Sequence, residues 1–132
     1  MNHLKTFGLC LFLLTLISAS GCGPGGVTVT GTVVGSNGAA ISLEADEAAT
    51  VMLISDDAKV NCSGEVDKAT GTFKIGQPVP PGIYKVQFVR YSSNTAKGPP
   101  ATMDYPEKWA VSSTNNKFTL DISKLREAEQ SQ

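Results

Sequence analysis

An all-β fold, an antiparallel β-sandwich of about seven short strands, is what this sequence predicts. Short runs rich in Val, Thr, Ile and aromatic residues alternate with polar positions, as in Lys117-Phe-Thr-Leu-Asp-Ile122. Turn-forming residues separate these runs, among them Asn37-Gly38, Asp56-Asp57 and Pro80-Pro-Gly82. Helix is expected to be minor, because nothing beyond residue 26 sustains a long helical period.

Val27-Thr-Val-Thr-Gly-Thr-Val-Val34 alternates and is largely β-branched, so it is the first strand, with Val27, Val29 and Val33 facing the core. Gly31 interrupts the valine row and marks a bulge or a close crossing. Gly35-Ser-Asn-Gly38 turns the chain. Residues 39–50 are open between two readings, since Leu43–Ala49 fits a helical turn or an irregular strand. Thr50-Val-Met-Leu-Ile-Ser55 is a nearly continuous apolar run suited to a central strand. After Asp56-Asp57, residues 58–66 form a strand carrying Val60, Cys62 and Val66. Asp67–Gly71 is a tight turn, and Thr72-Phe-Lys-Ile75 a short strand with Phe73 and Ile75 inward. Ile83–Tyr91 is the strongest strand, with Tyr84, Val86 and Phe88 on one face against Lys85 and Gln87. Residues 92–115 read as a long polar connection with Pro99, Pro100 and Pro106, and Lys117–Ile122 closes the sheet.

The first 22 residues follow another logic. Lys5 gives a positive start, Leu9–Ile17 is apolar but for Thr15, and Ala19-Ser-Gly-Cys22 follows. An apolar stretch this far short of the ~20 residues that span a bilayer is a signal-peptide core. The ending resembles the bacterial lipobox, with Ala19, Ser20 and Gly21 before the modified cysteine. That resemblance implies cleavage before Cys22 and attachment of a diacylglyceryl group to its thiol. Ordinary secretion is the alternative, with Ser18-Ala-Ser20 as the cleavage site. The domain plan is then a signal peptide over 1–21, a lipidated cysteine and Gly/Pro linker over 22–26, a sandwich over 27–125 and a polar tail over 126–132. The four linker residues after Cys22 reach at most about 14 Å, so the domain is held close to the headgroups. Gly23 in place of aspartate is, in lipoproteins this resembles, the default for the outer membrane. The expected location is the bacterial cell envelope, on the outer membrane or the periplasmic face of the inner one.

Composition narrows the chemistry. The one histidine, His3, lies in the leader, so the mature chain has none for a Ser-His-Asp or Cys-His arrangement or a His-bound zinc. Of eleven basic residues only Lys5 precedes Cys22, and all twelve acidic ones follow it, a mature balance of −2. No basic cluster suits a nucleic acid. Cys10 leaves with the leader and Cys22 is acylated, so Cys62 remains as a small half-buried strand residue. An unmodified Cys22 would leave a Cys22–Cys62 bridge open. The pairs Asp46-Glu47 and Asp56-Asp57 are read as solvated turns, because adjacent strand residues point to opposite faces. Neither metal nor cofactor is expected, and Asp56, Asp57 and Asp67 lack calcium-loop spacing.

Gly31-Thr-Val33, Asp67-Lys-Ala-Thr-Gly-Thr-Phe73 and Val79-Pro-Pro-Gly-Ile-Tyr-Lys-Val86 are similar to the motifs of the carboxypeptidase regulatory-like domain. Pro106-Glu-Lys-Trp109 before Phe118-Thr-Leu120 also resembles small bacterial lipoproteins of this type. The spacing from Asp67 to Gly71 is one residue longer than the family's, and Gly38-Ala-Ala-Ile41 replaces its usual segment after the first strand. The resemblance implies a transthyretin-like or immunoglobulin-like sandwich, a scaffold without chemistry of its own. A non-enzymatic, membrane-tethered structural or protein-interaction module is therefore the expected function. A carbohydrate-binding module is the alternative, with Tyr91, Tyr105 and Trp109 as a stacking platform on loops. Against it stands Trp109 as a residue that tucks the long connection onto the sandwich.

Overall fold

Alternation of inward and outward side chains builds the domain seen in the computed structural model, which describes residues 26–127. Nine strands lie among these residues: β1 (Thr30–Val34), β2 (Glu47–Ser55), β3 (Asn61–Glu65), β4 (Thr72–Lys74), β5 (Gly82–Ser92), β6 (Ala101–Asp104), β7 (Trp109–Val111), β8 (Lys117–Asp121) and β9 (Arg126–Glu127). They form two sheets. The smaller has the order β4-β1-β8, and the larger runs β3-β2-β5-β6-β9 with β7 also paired to β5. The expected all-β sandwich is the architecture found.

The longest strand organises the larger sheet. β2 pairs with β5 from Glu47 opposite Ser92 to Ser55 opposite Tyr84. The other edge of β5 is shared, with Gly82–Tyr84 taken by β7 and Gln87–Arg90 by β6. β5 therefore lies between strands on both sides, and Tyr84, Val86 and Phe88 are all buried. In β2, Glu47 begins the strand and Ala49, Val51 and Leu53 point inward. Leu43–Ala49 divides between the two readings: a turn closes with the Glu47 amide donating to the Glu44 carbonyl at 3.0 Å, and the last three residues open β2.

Three expectations need correction. The sandwich is not wholly antiparallel, because β1 and β8 run parallel, from Thr30 opposite Lys117 to Val34 opposite Asp121. Parallel neighbours need a long crossover, and here all the intervening strands supply it. Next, residues 92–115 are not one connection; they contain β6 and β7. Finally, Arg126 and Glu127 pair with Asp104 and Met103, so the sheet extends into the stretch expected to be tail.

The core lies between the sheets. Val29, Val33 and Leu120 from the smaller face Val51, Leu53, Val86 and Phe88 from the larger, all at most 1% exposed. Cys62 is buried on β3. Near β3 and β4 the two sheets meet at a corner, where the Gly76 amide donates to the Ser63 carbonyl at 3.0 Å and Val66 bridges to Phe73. In the turn that follows β3, Asp67 Oδ1 accepts the amides of Ala69 and Thr70 at 2.9 and 3.0 Å, and Gly71 takes φ +70°. That left-handed conformation favours glycine, and it closes the tight turn expected over Asp67–Gly71.

Candidate functional site

Cys22 and the lipobox residues Ala19, Ser20 and Gly21 lie outside the described residues. The three aromatic candidates are not brought together as a platform. Trp109 and Tyr105 are 6% and 7% exposed, while Tyr91 is 41% exposed on the outer face of β5. Trp109 stacks on Phe118 with centroids 4.5 Å apart and on Phe73 at 6.1 Å, and Tyr105 meets it edge-on at 5.9 Å. A ring enclosed in this way has no face to offer a sugar. Gly31 makes room for the stack: it sits in register between Phe73 and Phe118, and an added Cβ would lie 2.4 Å from the Phe73 ring. The glycan platform read from the sequence is thus replaced by a tether between the sheets, because β7 carries the tryptophan inward rather than leaving it on a loop.

Outside the core, two arrangements of polar groups stand out. The first is an open groove of about 1190 Å³ on the outward face of the three-stranded sheet and the β3 corner. Inward Val29 and Val33 leave Thr30 and Thr32 outward. Register then places Thr72, Thr32 and Thr119 in one row and Lys74, Thr30 and Lys117 in the next. Glu65 lies beside Thr50 at the corner, and Asp67 lies toward the other end of the groove, where it donates its amide to the Thr72 carbonyl. Such a surface offers hydroxyls and charges of both signs for polar recognition. The threonine alternation was visible in the sequence, whereas the lysines on either side of Thr30 depend on pairing between strands far apart in the chain.

The second is an ion cluster at the opposite end of the sandwich. Glu47 is the buried charged residue of the described core, and its Oε2 accepts Arg90 Nε at 2.9 Å and Arg90 Nη2 at 2.5 Å. Lys97 reaches Glu44, Asp46 at 3.1 Å and Glu47 at 3.8 Å, and Ser92 Oγ donates to Asp46 at 2.7 Å. These bonds pin the 93–100 loop onto the start of β2. They satisfy the buried carboxylate that would otherwise be costly. No group of three or more His, Cys, Asp or Glu among the described residues is placed to hold a metal. No helix among them is long and apolar enough to cross a membrane.

Comparison with protein-family models, curated proteins and solved structures matches this chain to none of them.

The carboxylates carry a pH dependence. Arg90 holds the Glu47 carboxyl below its ordinary 4.5, and the Ser92 hydroxyl, followed by Lys97, does the same for Asp46 relative to 3.8. Lys97 itself is pushed up to about 12, first by Glu44 and then by Asp46. Asp57, Asp67 and Asp121 are lowered by the Ser55 hydroxyl, the Thr70 amide and the Ser123 hydroxyl respectively. Each carboxyl binds its proton less readily in the folded chain than in the unfolded one. Their stabilisation is complete above about pH 5. It declines as pH drops below 4.5 for Glu47 and 3.8 for the aspartates, and it is lost below their lowered folded values. The urea midpoint is therefore expected to stay level from about pH 7 to 5 and to fall below that. Arg90→Met should lower the midpoint at neutral pH and make the acid fall shallower. A fall unchanged by Arg90→Met would assign none of it to Glu47.

Proposed function

We propose that this chain is a lipid-anchored, non-enzymatic module of the bacterial cell envelope, a carboxypeptidase regulatory-like domain serving as a structural or protein-interaction unit. The observation that carries this is the apolar Leu9–Ile17 run ending in Ala19-Ser-Gly-Cys22, with strand sequence beginning five residues later at Val27. Cys22 would be the membrane attachment, through two or more acyl chains; a single chain binds only reversibly. Support for an interaction role comes from β8, a five-residue edge of the smaller sheet that pairs with β1 on one side. An edge of this kind can accept a partner's strand through main-chain hydrogen bonds.

Material purified from the membrane fraction is expected to begin at Cys22 and to carry the mass of an acylated cysteine. Cys22→Ala should move the protein out of the membrane fraction while leaving its sheet circular dichroism intact. An unacylated amino terminus at another residue would overturn the anchored reading. Crosslinking at the membrane, with partners identified by mass spectrometry, separates a subunit of a larger assembly from a free-standing module.

A further inference from the structure

We propose that β8 is a self-association edge: two copies of this chain pair their β8 strands antiparallel about a two-fold axis at Thr119, joining their smaller sheets into one. The proposal deepens the interaction role given above, since it names what covers the open β8 edge, and it needs no lipid anchor.

The ladder with β1 fixes which groups of β8 face outward. The Thr30 amide donates to the Asn116 carbonyl at 3.0 Å, while Thr30 sits in register with Lys117. Main-chain groups alternate sides along a strand, so Asn116, Phe118 and Leu120 turn theirs to β1, and Lys117, Thr119 and Asp121 turn theirs away. Nothing among the described residues takes up these outward N–H and C=O groups. Lys117 and Thr119 are exposed and Asp121 is half-buried. β8 holds no proline, and its ladder with β1 runs without a bulge, so the common guards of an edge strand are missing. Other sheet edges are engaged or short. On β3 the Ser63 carbonyl accepts the Gly76 amide, on β4 the Thr72 carbonyl accepts the Asp67 amide, and β9 is two residues long.

The occupant follows from the sequence of the strand, which is complementary to itself when reversed. Lys117-Phe-Thr-Leu-Asp121 laid against a second copy sets Lys117 against Asp121, Phe118 against Leu120 and Thr119 against its own counterpart. Antiparallel opposites share a face, so each pair is of a favourable kind: opposite charges at both ends, apolar residues on the core side, threonines on the outer side. Lys117, Thr119 and Asp121 are also the residues with outward main-chain groups, so each of these facing pairs exchanges hydrogen bonds. Both charges are available. Lys117 makes no ion pair among the described residues. Asp121 Oδ1 accepts the Ser123 amide at 2.9 Å and hydroxyl at 2.6 Å, while Oδ2 accepts nothing among those residues. A two-fold interface must be self-complementary; β3, the other five-residue edge, reversed on itself sets Asn61 against Glu65 and Cys62 against Gly64.

The product joins two three-stranded sheets in the order β4-β1-β8-β8-β1-β4. Thr72, Thr32 and Thr119 of one copy continue into Thr119, Thr32 and Thr72 of the other, so the two outer grooves become one polar face. Pairing of a single short edge buries little area, which places the dimer at the transient end of interfaces.

The test follows the whole mature chain from residue 22, carrying Cys22→Ser, by sedimentation equilibrium up to about 1 mM. This parent is expected to dimerise reversibly. Lys117→Glu, at an exposed position, brings like charges together at both ends of the ladder, and so does Asp121→Lys; each should weaken the dimer roughly tenfold. Mixed in equal amounts, the two variants should associate as tightly as the parent. In that mixed dimer a glutamate at 117 faces a lysine at 121, and the native Asp121 faces the native Lys117. Thr119→Cys gives a reading independent of charge. Its Cα atoms would lie about 5.5 Å apart across the axis, within disulfide range, and oxidation should crosslink it. Thr32→Cys, about 14 Å from its counterpart, should stay uncrosslinked; Cys62 is 1% exposed and takes no part. A parent that stays monomeric, a dimer indifferent to Lys117→Glu, or Thr119→Cys that crosslinks no better than Thr32→Cys would overturn the proposal. So would a mixture of the two charge variants, each folded by circular dichroism, that associates no better than its components. Failure of the anchored reading shows separately, as an unmodified Cys22 in native material.

Discussion

Gly64→Val is expected to destabilise the domain by about 3 kcal/mol or more, the upper range for forcing atoms into a packed interior. A Cβ at Gly64 would stand 2.2 Å from the Lys74 carbonyl oxygen, 2.7 Å from its carbon and 2.9 Å from the Ile75 Cα. All three are backbone atoms, so no rotamer change relieves the contact. Relief would need β3 and β4 to separate, breaking the Gly76–Ser63 hydrogen bond and the Val66–Phe73 bridge that join the two sheets. Gly38→Ala is the internal comparison. Its φ is +78° but nothing lies within 4 Å of the new Cβ, so only the left-handed backbone cost applies, about 1–2 kcal/mol. Urea unfolding followed by the fluorescence of Trp109, the single tryptophan, should rank wild type above Gly38→Ala above Gly64→Val. A Gly64→Val protein as stable as wild type would mean that the corner is not closed by backbone contact.

The contrast between these glycines shows how far the sequence could be read. Gly38 follows Asn37 in a recognisable turn, a local role, whereas Gly71 closes a turn opened by Asp67 and also lies under the Ile41 backbone, whose carbonyl oxygen is 2.6 Å from where a Cβ would stand. Gly31, read from the sequence as a bulge or a close crossing, is the crossing, though the Phe73 ring and Phe118 backbone that pass it lie 42 and 87 positions away; Gly64 is small because the Lys74–Ile75 backbone passes over it, and no local signal marks that. The same division runs through the strands. Tyr84, Val86 and Phe88 alternate with Lys85 and Gln87, and that periodicity alone assigns their inward face. The parallel pairing of β1 with β8 leaves no local mark, since each strand has the same alternation with either neighbour direction. β6 was hidden because Ala101-Thr-Met-Asp104 follows two prolines and holds one large apolar residue; its strand character comes from the exposed edge of β5 beside it. For the site, the threonine face followed from inward Val29 and Val33, but its flanking lysines required the register. The ion partners Glu47 and Arg90 are 43 residues apart, and no spacing rule would pair them.

Trp109→Ala is expected to cost about 3–5 kcal/mol, the range for deleting a large buried aromatic. The loss includes the stacking on Phe118 and Phe73 and the edge contact of Tyr105, each worth about 0.5–1.5 kcal/mol beyond area burial. Because Phe73 and Phe118 flank Gly31 on the smaller sheet while Trp109 pairs with Tyr84 in the larger, the vacancy opens between the sheets, where relaxation is hardest. For a domain of this size the melting temperature should fall by ~12 °C or more. Trp109→Phe should recover part of it, by keeping one stacked ring in place. Tyr91→Ala, at a side chain 41% exposed, should change the melting temperature by little. These three variants separate the two roles open to the tryptophan. A residue on a binding platform can be truncated with the fold intact, whereas one that ties the sheets cannot. Normal melting of Trp109→Ala would return the ring to the surface and reopen glycan stacking, while a large drop with partial rescue by phenylalanine makes the tryptophan part of the core and leaves recognition to the outward faces.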